Sequence, residues 1–119
     1  MSGANGRPPR RPAPTEAERA TAAVELAKVR DRIDELDRQI VELLNERAEL
    51  GRLAGRAKHT AGRRAVKDAE REREVLLRVA MANQGPIAQA DLLSIYRRIV
   101  GATRGLEHRD RTHGPRLEE

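Results

Sequence analysis

From Val29 to Ala57 the chain places Val29, Ile33, Leu36, Ile40, Leu43, Arg47, Leu50, Ala54 and Ala57 at spacings that alternate four and three without a slip. This is a heptad seam, the pattern of a helix that lies along another helix over many turns. Thr15 is an N-cap residue followed by Glu16 and Glu18, so the helix is predicted from Thr15 to about Lys58. At 1.5 Å per residue such a helix spans roughly 65 Å. A compact chain of 119 residues has a radius of gyration of only about 13–14 Å. The helix must therefore pack along a second chain, or be folded back upon by the rest of its own.

The remaining periodicity is also helical, and no stretch alternates at period two. His59 to Ala65 contains Gly62 and reads as a loop. Asp68 is the expected N-cap of a second, short helix, with Glu70 and Glu72 in its first turn and Val75, Leu76, Val79 and Ala80 on one face. Asn83, Gln84, Gly85 and Pro86 stop it. A third, medium helix is expected from about Ala88 to Glu107, with Leu92, Tyr96, Ile99, Thr103 and Leu106 as its stripe and Val100 beside it. The expected fold is all-α with three helices in one domain, 15–107, between disordered tails at 1–14 and 108–119.

Composition sharpens this reading. Charged residues make up 36% of the chain and aromatics 1%, with Tyr96 the sole aromatic, which is a poor core for a lone small domain and points again to a partner chain. There is no cysteine, and His59, His108 and His113 lack metal-ligand spacing, so neither thiolate chemistry nor a metal site is expected. No apolar run approaches a signal-peptide core or a membrane span, so a cytoplasmic protein with no membrane contact is expected. The net charge of +5 invites a nucleic-acid partner, but Arg7, Arg10 and Arg11 put +3 of it in the first tail. The helical region 15–107 carries only +2, which argues against that partner.

The informative residues are charges on apolar stripes. Arg47 takes a seam position between Leu43 and Leu50, and a buried guanidinium must meet an anion. That anion is either a carboxylate of the protein, which makes Arg47 a registry device, or a carboxylate of a ligand, which the planar guanidinium binds bidentately. Lys58 closes the same helix, where a cation also complements the dipole. Arg30 lies beside the seam residue Val29 and taken alone is a solvated surface residue. It is 17 residues, roughly 25 Å, from Arg47, so only an antiparallel partner helix brings one chain's Arg30 to another's Arg47. Thr103 and Glu107 are four apart and share a helix face, though a Glu there is also simply a helix end. Arg71 and Glu72 sit in the charged run Asp68 to Glu74, which by composition is a solvated helix start.

Together these residues resemble the all-helical class of chorismate mutases. VRDRIDELDRQIVELLNERAELGRLAGRAK is similar to that family's first helix, VKDAERE to the entry of its second and IYRRIVGATRGLE to the end of its third. The resemblance covers about residues 26–107 and rests on all three segments in order rather than on any one. It implies an interlocked homodimer of three-helix chains with two composite sites, and a cofactor-free Claisen rearrangement of chorismate to prephenate in aromatic amino acid biosynthesis. Residue by residue, it implies that Arg47 binds one substrate carboxylate and Arg30 of the other subunit the second. Lys58 reaches the ether oxygen. Asp68 and Glu72 lie near the substrate hydroxyl, with Glu72 its direct partner. Arg71 lines the pocket. Thr103 stands where the family often has serine, and Glu107 where many members have glutamine facing the ether oxygen. An ionised carboxylate only accepts hydrogen bonds, so Glu107 is expected to act when protonated and activity to fall with rising pH.

The resemblance also admits an isochorismate–pyruvate lyase or an aminodeoxychorismate mutase, which share the scaffold. Asp68 and Glu72 favour the common mutase because they suit a hydroxyl partner. An activating partner enzyme is compatible with the chain. A reading of another class is a non-enzymatic helical dimerisation module that binds nucleic acid through its basic tail.

Overall fold

The structure, a computed structural model, describes residue 6, residues 8–62 and residues 65–113. Three helices follow one another: α1 (Glu16–Thr60), α2 (Ala65–Ala82) and α3 (Gln89–His113). Among the described residues there is no strand, and the fold is all-α as expected. Residues 1–5, 7 and 114–119 of the expected tails, and 63–64 of the expected loop, lie outside the described residues.

Local chemistry explains each helix end. Thr15 and Glu18 form a capping box: the Glu18 amide donates to Thr15 Oγ1 at 3.1 Å and the Thr15 amide to Glu18 Oε2 at 2.9 Å. At the other end of α1, Gly62 takes φ +70, a left-handed conformation that L side chains rarely adopt, and its amide donates to the His59 carbonyl at 3.1 Å. The turn from α2 to α3 is held by Asn83 and Gln89. Asn83 Nδ2 donates to Gln89 Oε1 at 2.8 Å and to the Ile87 carbonyl at 3.1 Å, while Gln89 Nε2 donates to the Ala80 carbonyl at 2.9 Å. These bonds fold α3 back along α2 as a helical hairpin.

The chain divides into two units, Met1–Gln39 and Ile40–Glu119. The first contains the N-terminal part of α1, whose Val24, Leu26, Val29, Ile33 and Leu36 are all exposed. In the second, Val75, Leu76, Val79 and Ala80 of α2 and Leu92, Tyr96, Ile99, Val100 and Leu106 of α3 are half-buried, which matches the stripes predicted for both helices. Among the described residues no apolar side chain is buried, and the one buried residue is Thr103, at 9% exposure.

Two boundaries differ from the sequence reading. Asp68 is not the N-cap of the second helix: α2 begins at Ala65, and Asp68 lies within its first turn. Its carboxylate is taken by Lys58 instead of capping the helix. The third helix does not end at Glu107 but continues to His113, because Asp110 finds Arg52 on α1.

A third difference concerns α1. After Arg47, the partly covered positions are Ala48, Gly51, Arg52, Gly55 and Lys58, while the seam residues Leu50, Ala54 and Ala57 are exposed. The helix thus presents a glycine-bearing face to the rest of its own unit. The apolar seam lies on another face.

Candidate active site

All of the site described here lies within the unit Ile40–Glu119. Lys58, in the last turn of α1, is half-buried, and its Nζ donates to Asp68 Oδ1 at 2.6 Å and to Glu107 Oε2 at 3.5 Å. One ammonium is therefore shared by a carboxylate from α2 and another from α3. Desolvation pulls the Lys58 pKa down, and the hydrogen bond to Asp68 with the charges of Glu107 and Asp68 outweighs it, so the net direction is up.

One turn of α3 before Glu107, Thr103 lies close to Arg47. The Arg47 guanidinium donates from Nη1 to Thr103 Oγ1 at 3.5 Å, and the threonine hydroxyl donates to the Ile99 carbonyl at 3.3 Å. The contacts rise along α1 and α3 in the same sense, Arg47 with Thr103 and Lys58 with Glu107. Two glycines allow this approach. A Cβ on Gly51 would collide with Thr103 Cγ2, and one on Gly55 would sit 2.9 Å from Glu107 Cγ and 3.0 Å from its Cδ.

Glu72 faces α3 from α2, and Arg104 Nε lies 2.7 Å from its Oε1. The two form a close ion pair, with Oε1 buried beneath it.

The structure thus brings the candidates into two sets of contacts on neighbouring turns of α3, Arg47 with Thr103 and Lys58 with Asp68 and Glu107, while Glu72 on α2 pairs with Arg104. It does not join Arg71 to them. Arg71 is exposed and bonds to Glu74 along its own helix at 3.1 Å. Arg30 is exposed on α1 in the unit Met1–Gln39.

Three partners escaped the sequence reading. Arg104 directly follows Thr103 on a charged helix end. Arg52 and Asp110 are 58 residues apart and join in a bidentate ion pair, Nε to Oδ2 at 3.0 Å and Nη2 to Oδ1 at 2.9 Å. Glycines four apart in a long helix were the one available signal of a close helix approach at Gly51 and Gly55. Among the described residues no group of three or more His, Cys, Asp or Glu is placed to hold a metal ion.

A fixed ammonium and a guanidinium on α1, set among acceptors on α2 and α3, define a class of site, one whose charge suits an anion. Comparison with known proteins narrows the class. The family model of chorismate mutase type II matches residues 29–108. A bifunctional chorismate mutase/prephenate dehydratase from Aquifex aeolicus (strain VF5) is 38% identical over 87 residues, which cover 70% of this chain and 24% of that protein. The chain thus spans about a quarter of the length of this curated relative. A solved chorismate mutase (form II) from Thermus thermophilus superposes with a TM-score of 0.66 at 29% identity, over 71% of this chain and 96% of that one. The chain belongs to the chorismate mutase type II family.

Proposed function

We propose that this chain converts chorismate to prephenate, and that Lys58 is the group that meets the reacting oxygen. The observation that carries the reading is the single ammonium held between Asp68 and Glu107, with Arg47 further back along the same helix, beside Thr103. The rearrangement breaks a carbon–oxygen bond and forms a carbon–carbon bond within one molecule, so it needs no nucleophile. The protein's task is to fold a flexible dianion into a compact conformer and to stabilise the charge that grows on the ether oxygen. Arg47, steadied by Thr103, is placed to take one carboxylate. Lys58, kept charged by its two carboxylate neighbours, is placed to donate to the ether oxygen. Glu72, half-buried on α2 and paired with Arg104, is the acceptor we assign to the substrate hydroxyl.

The reading includes a homodimer in which Arg30 crosses to the partner's site. Its support is the apolar seam: Val29, Ile33, Ile40, Leu43 and Leu50 are exposed, Leu43 at 63% and Leu50 at 59%. An apolar stripe of this length left in water is the mark of an interface. A second α1 lying antiparallel along it would cover the seam and carry Arg30 toward Arg47. Among the described residues no helix is long and apolar enough to cross a membrane, and we place the enzyme in the cytoplasm.

Glu107 gives the reading a signature. In the substrate-free chain it pairs with Lys58. As a carboxylate it opposes a developing oxyanion, and with a proton it donates to one. Glu107→Gln puts a neutral amide donor in the same place and is therefore expected to keep or raise the wild-type turnover. Loss of chorismate absorbance by wild type beside Glu107→Gln tests this, and an inactive Glu107→Gln variant would contradict it. Isochorismate and aminodeoxychorismate, run in parallel, decide the substrate.

A further inference from the structure

We propose that Arg52 and Asp110 are positioning residues: their bidentate ion pair sets where α3 sits along α1, and so where the Glu107 carboxyl stands opposite Lys58. This deepens the mutase reading and rests on it for its kinetic test.

α1 lacks side chains where it meets Thr103 and Glu107. The face it turns toward α3 carries Gly51 and Gly55, which meet the side chains of Thr103 and Glu107. Helices normally lock against sliding because side chains of one enter gaps of the other. Thr103 and Glu107 do enter the notches that Gly51 and Gly55 leave, but bare backbone offers them no polar partner there, so a directional restraint on the register adds to the fit.

The fork supplies it. Asp110 is three residues after Glu107, on the same side of α3 and one turn further on. Both of its oxygens are engaged by Arg52, at 3.0 and 2.9 Å, and the third guanidinium nitrogen, Nη1, donates to Glu49 Oε1 at 3.1 Å. Arg52 is thus held to its own helix by Glu49 and to α3 by Asp110, with all three nitrogens in use. A slip of one residue moves α3 by about 1.5 Å, more than a hydrogen bond tolerates. The planar fork also resists rotation, which a lysine in its place would not. The side chains are 33% and 26% exposed, so water screens the pair and its net contribution to stability is small. What the pair adds is geometry, delivered one turn from the group that must face the reacting oxygen.

The test is a double-mutant cycle on chorismate turnover. With Glu107 present, Asp110→Asn and Arg52→Lys are each expected to lower kcat about 5- to 10-fold with KM changed less than about twofold. In a Glu107→Ala background, Asp110→Asn is expected to cost less than about twofold, because the group it positions is gone. An equal loss in both backgrounds, or no loss with Glu107 present, overturns the proposal. A second readout does not depend on the substrate assignment. The nuclear Overhauser contact between the Gly55 α-protons and the Glu107 γ-protons is expected in the wild-type chain and lost in Asp110→Asn. Its persistence in the variant overturns the proposal even if chorismate proves to be the wrong substrate, and its loss supports it in that same case.

Discussion

Lys58 Nζ lies 2.6 Å from Asp68 Oδ1, close enough that the two act as one charge-neutral unit at the meeting of α1 and α2. A dianionic ligand approaching this pair meets an ammonium whose charge is already partly satisfied, and the Glu107 contact at 3.5 Å is the looser of its two. Lys58→Ala removes the only ammonium in this set of contacts. It is expected to lower kcat by about 10²–10³-fold, the usual cost of deleting a donor to a developing oxyanion. Single-turnover decay of chorismate absorbance measures this. An effect confined to KM would show that Lys58 binds substrate without stabilising the transition state.

Lys58 and Asp110 each give stability a dependence on pH, a small one for the water-screened Asp110 pair. Lys58 in the folded chain titrates above its ordinary value of 10.5, so the stability it contributes is complete below that pH and is lost as pH rises through the folded value. Asp110 is held below its ordinary 3.8, chiefly by the hydrogen bonds from Arg52, so its contribution is present above that pH and is lost as pH falls through the folded value. Thermal melts of wild type and Asp110→Asn should therefore differ at pH 7 and converge as the pH is taken well below 3.8. A constant difference in Tm down to the lowest pH would contradict the assignment.

Gly51 and Gly55 separate stability from activity. Gly51→Ala pushes a methyl group into Thr103, a stiff β-branched side chain. Overpacking of this kind costs about 1–3 kcal/mol, against about 1 kcal/mol regained from helix propensity, so a net loss of Tm is expected. Gly55→Ala meets the flexible chain of Glu107 instead. Its stability is expected to stay within about 1 kcal/mol of wild type while kcat falls about 10-fold, because Glu107 must move aside. Melting curves and turnover numbers for the two variants check the contrast.

The composite site makes a prediction about mixed dimers. Arg30→Ala and Arg47→Ala are each expected to be nearly inactive. In a dimer containing one chain of each kind, one site keeps both arginines and the other lacks both. An equal mixture assembled at random should therefore regain about a quarter of wild-type activity. Sedimentation checks the dimer itself, and a mixture no more active than its parents would show that Arg30 does not cross between subunits.

Legibility in the sequence followed locality. The stripes of α2 and α3 were readable because Val75, Val79, Leu92, Tyr96 and Ile99 repeat at helical spacing, and the half-burial of these residues needs nothing distant. The linkage of Lys58 to Asp68 and Glu107 was legible only through a family resemblance, since no local rule ties a lysine to acids 10 and 49 residues away. Helix ends were misplaced where a distant partner decided them. Asp68 looks like a cap until Lys58 claims it, and α3 looks finished at Glu107 until Arg52 engages Asp110. The exposed seam of α1 was read correctly as a pattern. The glycine face beside it was not, because glycine writes no stripe and gains meaning only when Thr103 and Glu107 approach it.

Arg47 carries the central proposal, that its guanidinium beside Thr103 binds a substrate carboxylate. The direct measurement is the initial rate of chorismate consumption by purified wild-type protein beside Arg47→Ala, with prephenate identified as the product. The account predicts turnover in the wild type and a loss of at least about 10²-fold in kcat/KM for the variant. Equal rates in the two proteins, or no prephenate from the wild type, would contradict it.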